Sequence, residues 1–146
     1  IAPQCSRGGI GWSGPIAQAV ISLIDDILRE VAGADPKRVY LTGYSLGAYG
    51  TYNLLAMKPD LFAAAIPAAG GGNTAIAPRL RGIDIWIYHG VHDVSVPVKA
   101  AREMAAALKN AGVSVQYTEM PFDHSIPGKV FFQEKVHKWL FQQKRE

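Results

Sequence analysis

The sequence predicts an α/β fold, with a mostly parallel sheet and helices on both of its faces. Apolar, β-branched or aromatic runs of strand length alternate along the chain with longer stretches of helical periodicity. The strand-like runs are apolar nearly throughout rather than at every second residue, which is the pattern of strands covered on both sides. A third observation is local: Gly43, Tyr44, Ser45, Leu46 and Gly47 form a GxSxG pentapeptide between a strand-like run over 38–42 and a stretch that reads as helix.

Each element has its own signal. Ile16, Val20, Leu23, Ile24, Ile27, Leu28 and Val31 recur at helical intervals opposite Asp25, Asp26, Arg29 and Glu30. Pro15 suits the first turn and Gly33 the end, so this segment is an amphipathic helix packed on the sheet. Before it, Ile1, Ala2 and Pro3 read as the end of a strand. After it come the strand ending near Gly43 and a helix from Leu46 to about Met57, stopped by Pro59. Residues 62–67 form the next strand, terminated by Gly70, Gly71 and Gly72, and 83–88 the strand around Trp86. A helix over 98–110, with Gly112 just beyond, leads to a strand over 113–119. The chain closes in one helix, where Val130, Phe131, Val136, Trp139, Leu140 and Phe141 alternate with polar residues at helical spacing.

Length and composition bound the reading. A chain of 146 residues with 49% apolar content can bury one good core. No repeat or long linker divides it, so 1–146 is read as a single domain. No run is long and apolar enough to span a membrane, and the single cysteine, Cys5, excludes an internal disulfide framework. The net charge of +3 comes largely from Lys135, Lys138, Lys144 and Arg145, which fall on the solvated face of the last helix, and His137 is read as a surface residue beside them. Neither nucleic acid nor a membrane surface is therefore an expected partner.

Chemistry enters with Ser45. Glycines flanking a serine at a strand-to-helix turn let the backbone bend sharply and push the hydroxyl out of the sheet. A serine hydroxyl is a weak nucleophile at neutral pH, so it needs a base, and the base needs an orienting acid. The order Ser, then Asp, then His is met by Asp93, where the chain leaves the strand around Trp86, and by His124, in the turn-rich loop 121–128. All three lie just past the carboxyl ends of parallel strands, where open α/β sheets build their sites. Leu46, following the serine, would donate a backbone N–H to an oxyanion.

Other residues have two readings. Trp12 could wall a substrate cleft or pack on the sheet. Gly71, with Gly70 and Gly72, could line an acyl or alcohol pocket or let backbones approach. Tyr44, beside the serine, is a third candidate for substrate binding. His89, His92, Asp93 and His124 are metal-ligand types, but His89 reads as a strand-end residue and His92 as a loop residue at the rim, so no metal and no cofactor is expected.

With these motifs in place, the chain resembles the small serine esterases of the α/β-hydrolase superfamily, of the dienelactone-hydrolase-like, polyhydroxybutyrate-depolymerase-like and predicted-peptidase kind. The resemblance rests on residues 35–50 (DPKRVYLTGYSLGAYG), 59–72 (PDLFAAAIPAAGGG), 89–97 (HGVHDVSVP) and 115–119 followed by His124. It implies hydrolysis of small carboxylic esters, with Ser45 as nucleophile, His124 as general base and Asp93 as its partner. Peptide hydrolysis by the same residues, or a binding or assembly module that keeps the residues without the activity, are the alternatives. Two departures stand out. Ala48 occupies a position where relatives often carry glycine, and the amino-terminal strands of the family, with a His-Gly loop that supplies an oxyanion N–H, have no counterpart here. The expectation is a truncated or minimal α/β-hydrolase, in which the glycine-rich segment 7–12 would supply the second donor and a homodimer or higher homo-oligomer would cover the unpaired edge.

Overall fold

In the computed structural model, which describes residues 1–5 and 11–146, four parallel strands form one sheet in the order β1–β2–β3–β4. The strands are β1 (Tyr40–Tyr44), β2 (Ala64–Ala68), β3 (Asp84–Gly90) and β4 (Val115–Met120). Five helices accompany them: α1 (Gly14–Glu30), α2 (Leu46–Met57), α3 (Val98–Asn110), α4 (Pro127–Phe131) and α5 (Glu134–Gln142). Tyr44 pairs with Ala68, Ala68 with Tyr88, and Gly90 with Met120, so the strands end at nearly one level along the carboxyl edge. The loops that leave that edge carry Ser45, Asp93 and His124.

Two cores form because the strands are buried on both sides. On one face Ala65, Ile85 and Ile87 meet Val20, Ile21 and Ile24 of α1, Tyr52 and Leu55 of α2, and Met104 and Leu108 of α3. On the other, Ile66, Ala68 and Tyr88 meet Ile126, Val130 of α4, and Val136 and Leu140 of α5. At roughly 25 cal/mol per Å² of apolar area removed from water, this burial is the main force that fixes the helices on the sheet. The alanine-rich β2, buried at every position, lets helices on both sides approach closely.

Four sequence expectations are corrected. Ile1, Ala2 and Pro3 are exposed and form no strand, so among the described residues the sheet edge on this side is β1. The terminal helix is broken in two, because Phe132 and Gln133 leave helical geometry between α4 and α5, with Phe132 86% exposed. His137, exposed as expected, caps the break through a 2.7 Å hydrogen bond from its ring to the Phe131 carbonyl. Phe62 precedes β2 rather than opening it, and Val113 likewise precedes β4. A 3-10 helix over Thr74–Leu80, which buries Ala77 and Leu80 despite Pro78, was not legible as a helix. No helix among the described residues is long and apolar enough to cross a membrane.

Candidate active site

Ser45 stands between β1 and α2 with φ 54° and ψ −117°, a backbone conformation that costs a residue with a Cβ roughly 1–3 kcal/mol. Its N–H donates to Ala68 O at 2.9 Å, which ties the turn to the end of β2. Gly43 makes the bend possible: a Cβ there would overlap the carbonyl of Gly47 and press within 2.5 Å of Thr51 Oγ1. Gly47 is different. A Cβ on it would meet nothing within 4 Å among the described residues, and its φ is not positive, so the second glycine of the motif is not required by the turn. Ala48 is buried against Gly70, where an added Cβ would come 2.5 Å from that of Ala48. The methyl that departs from the family pattern is thus accommodated by a glycine on the facing loop.

The loops after β3 and β4 are stitched together. Val91 N–H donates to Met120 O at 2.9 Å and His92 N–H to Phe122 O at 3.0 Å. Asp93 and His124 therefore face one another. His124 Nδ1 lies 2.7 Å from Asp93 Oδ2, and His124 Nε2 lies 2.9 Å from Ser45 Oγ. An ionised carboxylate only accepts, so Nδ1 carries the proton and the bare Nε2 can accept from the serine hydroxyl. Tyr44 supports the same loop: its hydroxyl donates to His124 O at 3.0 Å and its ring lies 5.0 Å from the imidazole.

Asp93 is buried yet fully bonded. Its Oδ1 accepts from Ser95 N–H at 2.9 Å and Val96 N–H at 2.8 Å. Burial pushes its carboxyl up, but the hydrogen bonds from His124, Val96 and Ser95 outweigh it and hold the group below its ordinary value. The sequence missed one neighbour. His89 is fully buried, with Nε2 2.9 Å from Val96 O and 3.2 Å from Asp93 Oδ2. The i, i+4 spacing of His89 and Asp93 across a tight turn was the available signal.

The remaining candidates are placed as follows. Leu46 opens α2, and its N–H has no acceptor among the described residues, as expected for the first residue of a helix. Trp12 packs on Gly50, one turn along α2, and its carbonyl accepts from Asn53 Nδ2 at 3.3 Å, so the contacts that place it are with that helix. Gly71 approaches Ala100 of α3 and the Tyr49 hydroxyl, while Gly70 and Gly72 abut Ala48 and Tyr52, so close backbone approach explains all three glycines. Of segment 7–12, residues 7–10 lie outside the described residues, whereas Gly11, at φ 70°, lies against the Leu46 side chain. Among the described residues no three His, Cys, Asp or Glu side chains group as a metal site.

Comparison with known proteins points the same way as the sheet order and the turn. A model of the prolyl oligopeptidase family of peptidases matches residues 19–76. A thermostable esterase of known structure superposes on 99% of this chain with a TM-score of 0.88 and 33% identity. The chain belongs to the α/β-hydrolase superfamily. Among superfamily relatives, poly(3-hydroxyalkanoate) depolymerase C of Paucimonas lemoignei is 57% identical over 55 residues, 38% of this chain. The bifunctional acetylxylan esterase/xylanase XynS20E of Neocallimastix patriciarum is 32% identical over 92 residues, 60% of this chain. The matches span 43% of the thermostable esterase, 13% of the depolymerase and 14% of the bifunctional enzyme. This α/β-hydrolase chain is thus similar to a part of each.

Proposed function

We propose that this chain is a serine carboxylesterase acting on short-chain esters through a Ser45–His124–Asp93 acyl-enzyme mechanism. The observation that carries the reading is the continuous hydrogen-bonded line from Ser45 Oγ through His124 to Asp93 Oδ2, with bonds of 2.9 and 2.7 Å. Ser45 Oγ attacks the ester carbonyl carbon as its proton passes to His124 Nε2. The carbonyl π pair moves to oxygen, and the Leu46 N–H at the start of α2 stabilises the oxyanion. Collapse expels the alcohol, which takes the proton from His124, and leaves the acyl group on Ser45. Water, deprotonated by His124, then attacks the acyl carbon and releases the acid and free Ser45. Asp93 stays ionised throughout and steadies the imidazolium.

The segments after β2 and β3 support a preference for short acyl groups. Both are committed to packing, the first through Ala77 and Leu80 and the second through Ala101, Met104 and Leu108 of α3, so neither supplies an apolar lid. Peptidase activity is the second reading, favoured by the prolyl oligopeptidase match. That match holds Ser45 but ends before Asp93 and His124, whereas the likeness to the thermostable esterase covers nearly the whole chain. The test is steady-state turnover of p-nitrophenyl acetate, butyrate and palmitate beside an amide panel, with Ser45→Ala as control. Acetate and butyrate should be hydrolysed much faster than palmitate, and amides slowly or not at all. Faster cleavage of amides than of activated esters would favour the peptidase, and turnover unchanged in Ser45→Ala would refute both.

A further inference from the structure

We propose that His89 is a positioning residue for this site, holding the Asp93 carboxylate in line with His124. The inference rests on the mechanism proposed above. His89 is the penultimate residue of β3, with its side chain wholly buried. Its Nε2 faces two groups that can only accept, Val96 O at 2.9 Å and the ionised Asp93 Oδ2 at 3.2 Å, so Nε2 carries the proton. The hydrogen bond is directed at Val96 O, and the peptide N–H of the same Val96 donates to Asp93 Oδ1 at 2.8 Å. One imidazole therefore fixes the peptide that grips one carboxylate oxygen and presents its N–H edge to the other.

The opposite nitrogen explains why packing alone does not account for the residue. Nδ1 is buried with no hydrogen-bond partner among the described residues. Burying a polar atom unsatisfied is unfavourable, and an apolar side chain would fill the slot without that cost. What the ring supplies is a rigid donor at the Nε2 position. Without it, Val96 loses its side-chain tie to β3, and the Asp93 segment is held to that strand through the Asp93 N–H to Gly90 O bond of 3.2 Å.

The charged groups around the pair are few. His89 faces Asp93 and, as its register partner on β4, Glu119, which is bonded to Arg102 of α3 and to Tyr117. His124 faces Asp93, Ser45 and Tyr44, with Asp123 beside it. Of these, only Asp93 touches both histidines.

The experiment compares His89→Gln with His89→Asn in the intact chain. The glutamine amide can place an N–H where Nε2 stood, while the shorter asparagine cannot reach it, although both are polar and of similar bulk. Circular dichroism and thermal melting confirm that each folds. We expect His89→Gln to stay near the parent and His89→Asn to lose roughly 10-fold in kcat, the scale of one hydrogen bond to a charged system, with KM unchanged. The acid limb of kcat/KM in His89→Asn should move to lower pH, because the His124 cation loses part of its aligned carboxylate. A His89→Asn variant matching the parent in kcat and in that limb, or equal impairment of both variants at equal melting temperature, would overturn the inference. Ser45-dependent turnover of the parent is measured alongside: if it is absent, the mechanism fails, and if it is present while His89→Asn is unaffected, only the role of His89 fails.

Discussion

The backbone of Gly90 lies so close beneath the carbonyl of Asp123 that a Cβ added to it would overlap the oxygen, and that of Phe122 as well. The end of β3 is thus the floor on which the His124 loop rests. Gly90→Ala should lift residues 122–124 and displace the imidazole from Ser45 by a fraction of an ångström to an ångström. Misplacement on that scale costs roughly 100-fold in rate. Thermal melting and kcat measured together check this: a kcat loss far larger than the loss of stability is expected, and a parent-like kcat would contradict the account.

The two glycines around Ser45 should respond differently. Gly43→Ala forces a methyl into the Gly47 carbonyl and should unfold or severely destabilise the protein. Gly47→Ala places its methyl, on a helix, more than 4 Å from any described atom outside that helix and its chain neighbours, and should leave stability unchanged or raise it by about 0.5 kcal/mol. Chemical denaturation of both variants measures the contrast, and equal destabilisation would contradict the steric argument.

The β1–α2 unit was legible because a β-branched and aromatic run, the GxSxG turn and a glycine-to-proline-bounded apolar stretch follow one another, although α2 itself is apolar on most sides rather than periodic. The order of Ser45, Asp93 and His124 could be read from strand ends alone, since parallel topology sends every such loop to the same edge. What sequence could not supply was packing. The apolar period of the last helix runs on across Phe132, although that side chain faces solvent and the helix breaks there. The i, i+4 spacing of His89 and Asp93 hinted at a contact, but only the path of the turn shows that Nε2 reaches both the carboxylate and Val96 O. Trp12 and the glycines 70–72 had two readings because only the neighbouring backbone decides between a pocket and a close contact.

Stability should fall in acid through Glu119. Arg102 Nε and Nη2 bond its carboxylate at 2.7 and 2.9 Å, and these bonds, with that from the Tyr117 hydroxyl, hold it down to about 2 against an ordinary value of 4.5. A carboxyl depressed in the folded state contributes stability above its unfolded value and loses it as pH falls through the folded one. Urea midpoints should therefore decline from about pH 5 towards about pH 2. In Glu119→Gln the decline should be shallower and the midpoint near neutrality lower; identical slopes would show that the ion pair contributes nothing.

We propose that β1, whose outer edge is unpaired among the described residues, pairs with a second copy of this chain. Among the described residues β1 has one neighbour, β2. Its other side opens on an apolar groove of about 500 Å³ lined by Val20, Ile24, Leu28, Val39, Leu41 and Leu54. Unpaired strand groups beside such a groove favour pairing with a second copy. Light scattering should show a mass that rises with concentration and falls in Leu41→Lys. A strict monomer at high concentration would exclude this route.

The central claim is that Ser45 is a nucleophile activated by His124, and covalent labelling tests it most directly. Intact protein treated with a fluorophosphonate should gain one adduct mass, and peptide mapping should place it on Ser45. Ser45→Ala should remain unlabelled, and His124→Ala should label at least 100-fold more slowly, as expected when a serine loses its base. Labelling at equal rate in Ser45→Ala, or no loss of rate in His124→Ala, would contradict the account.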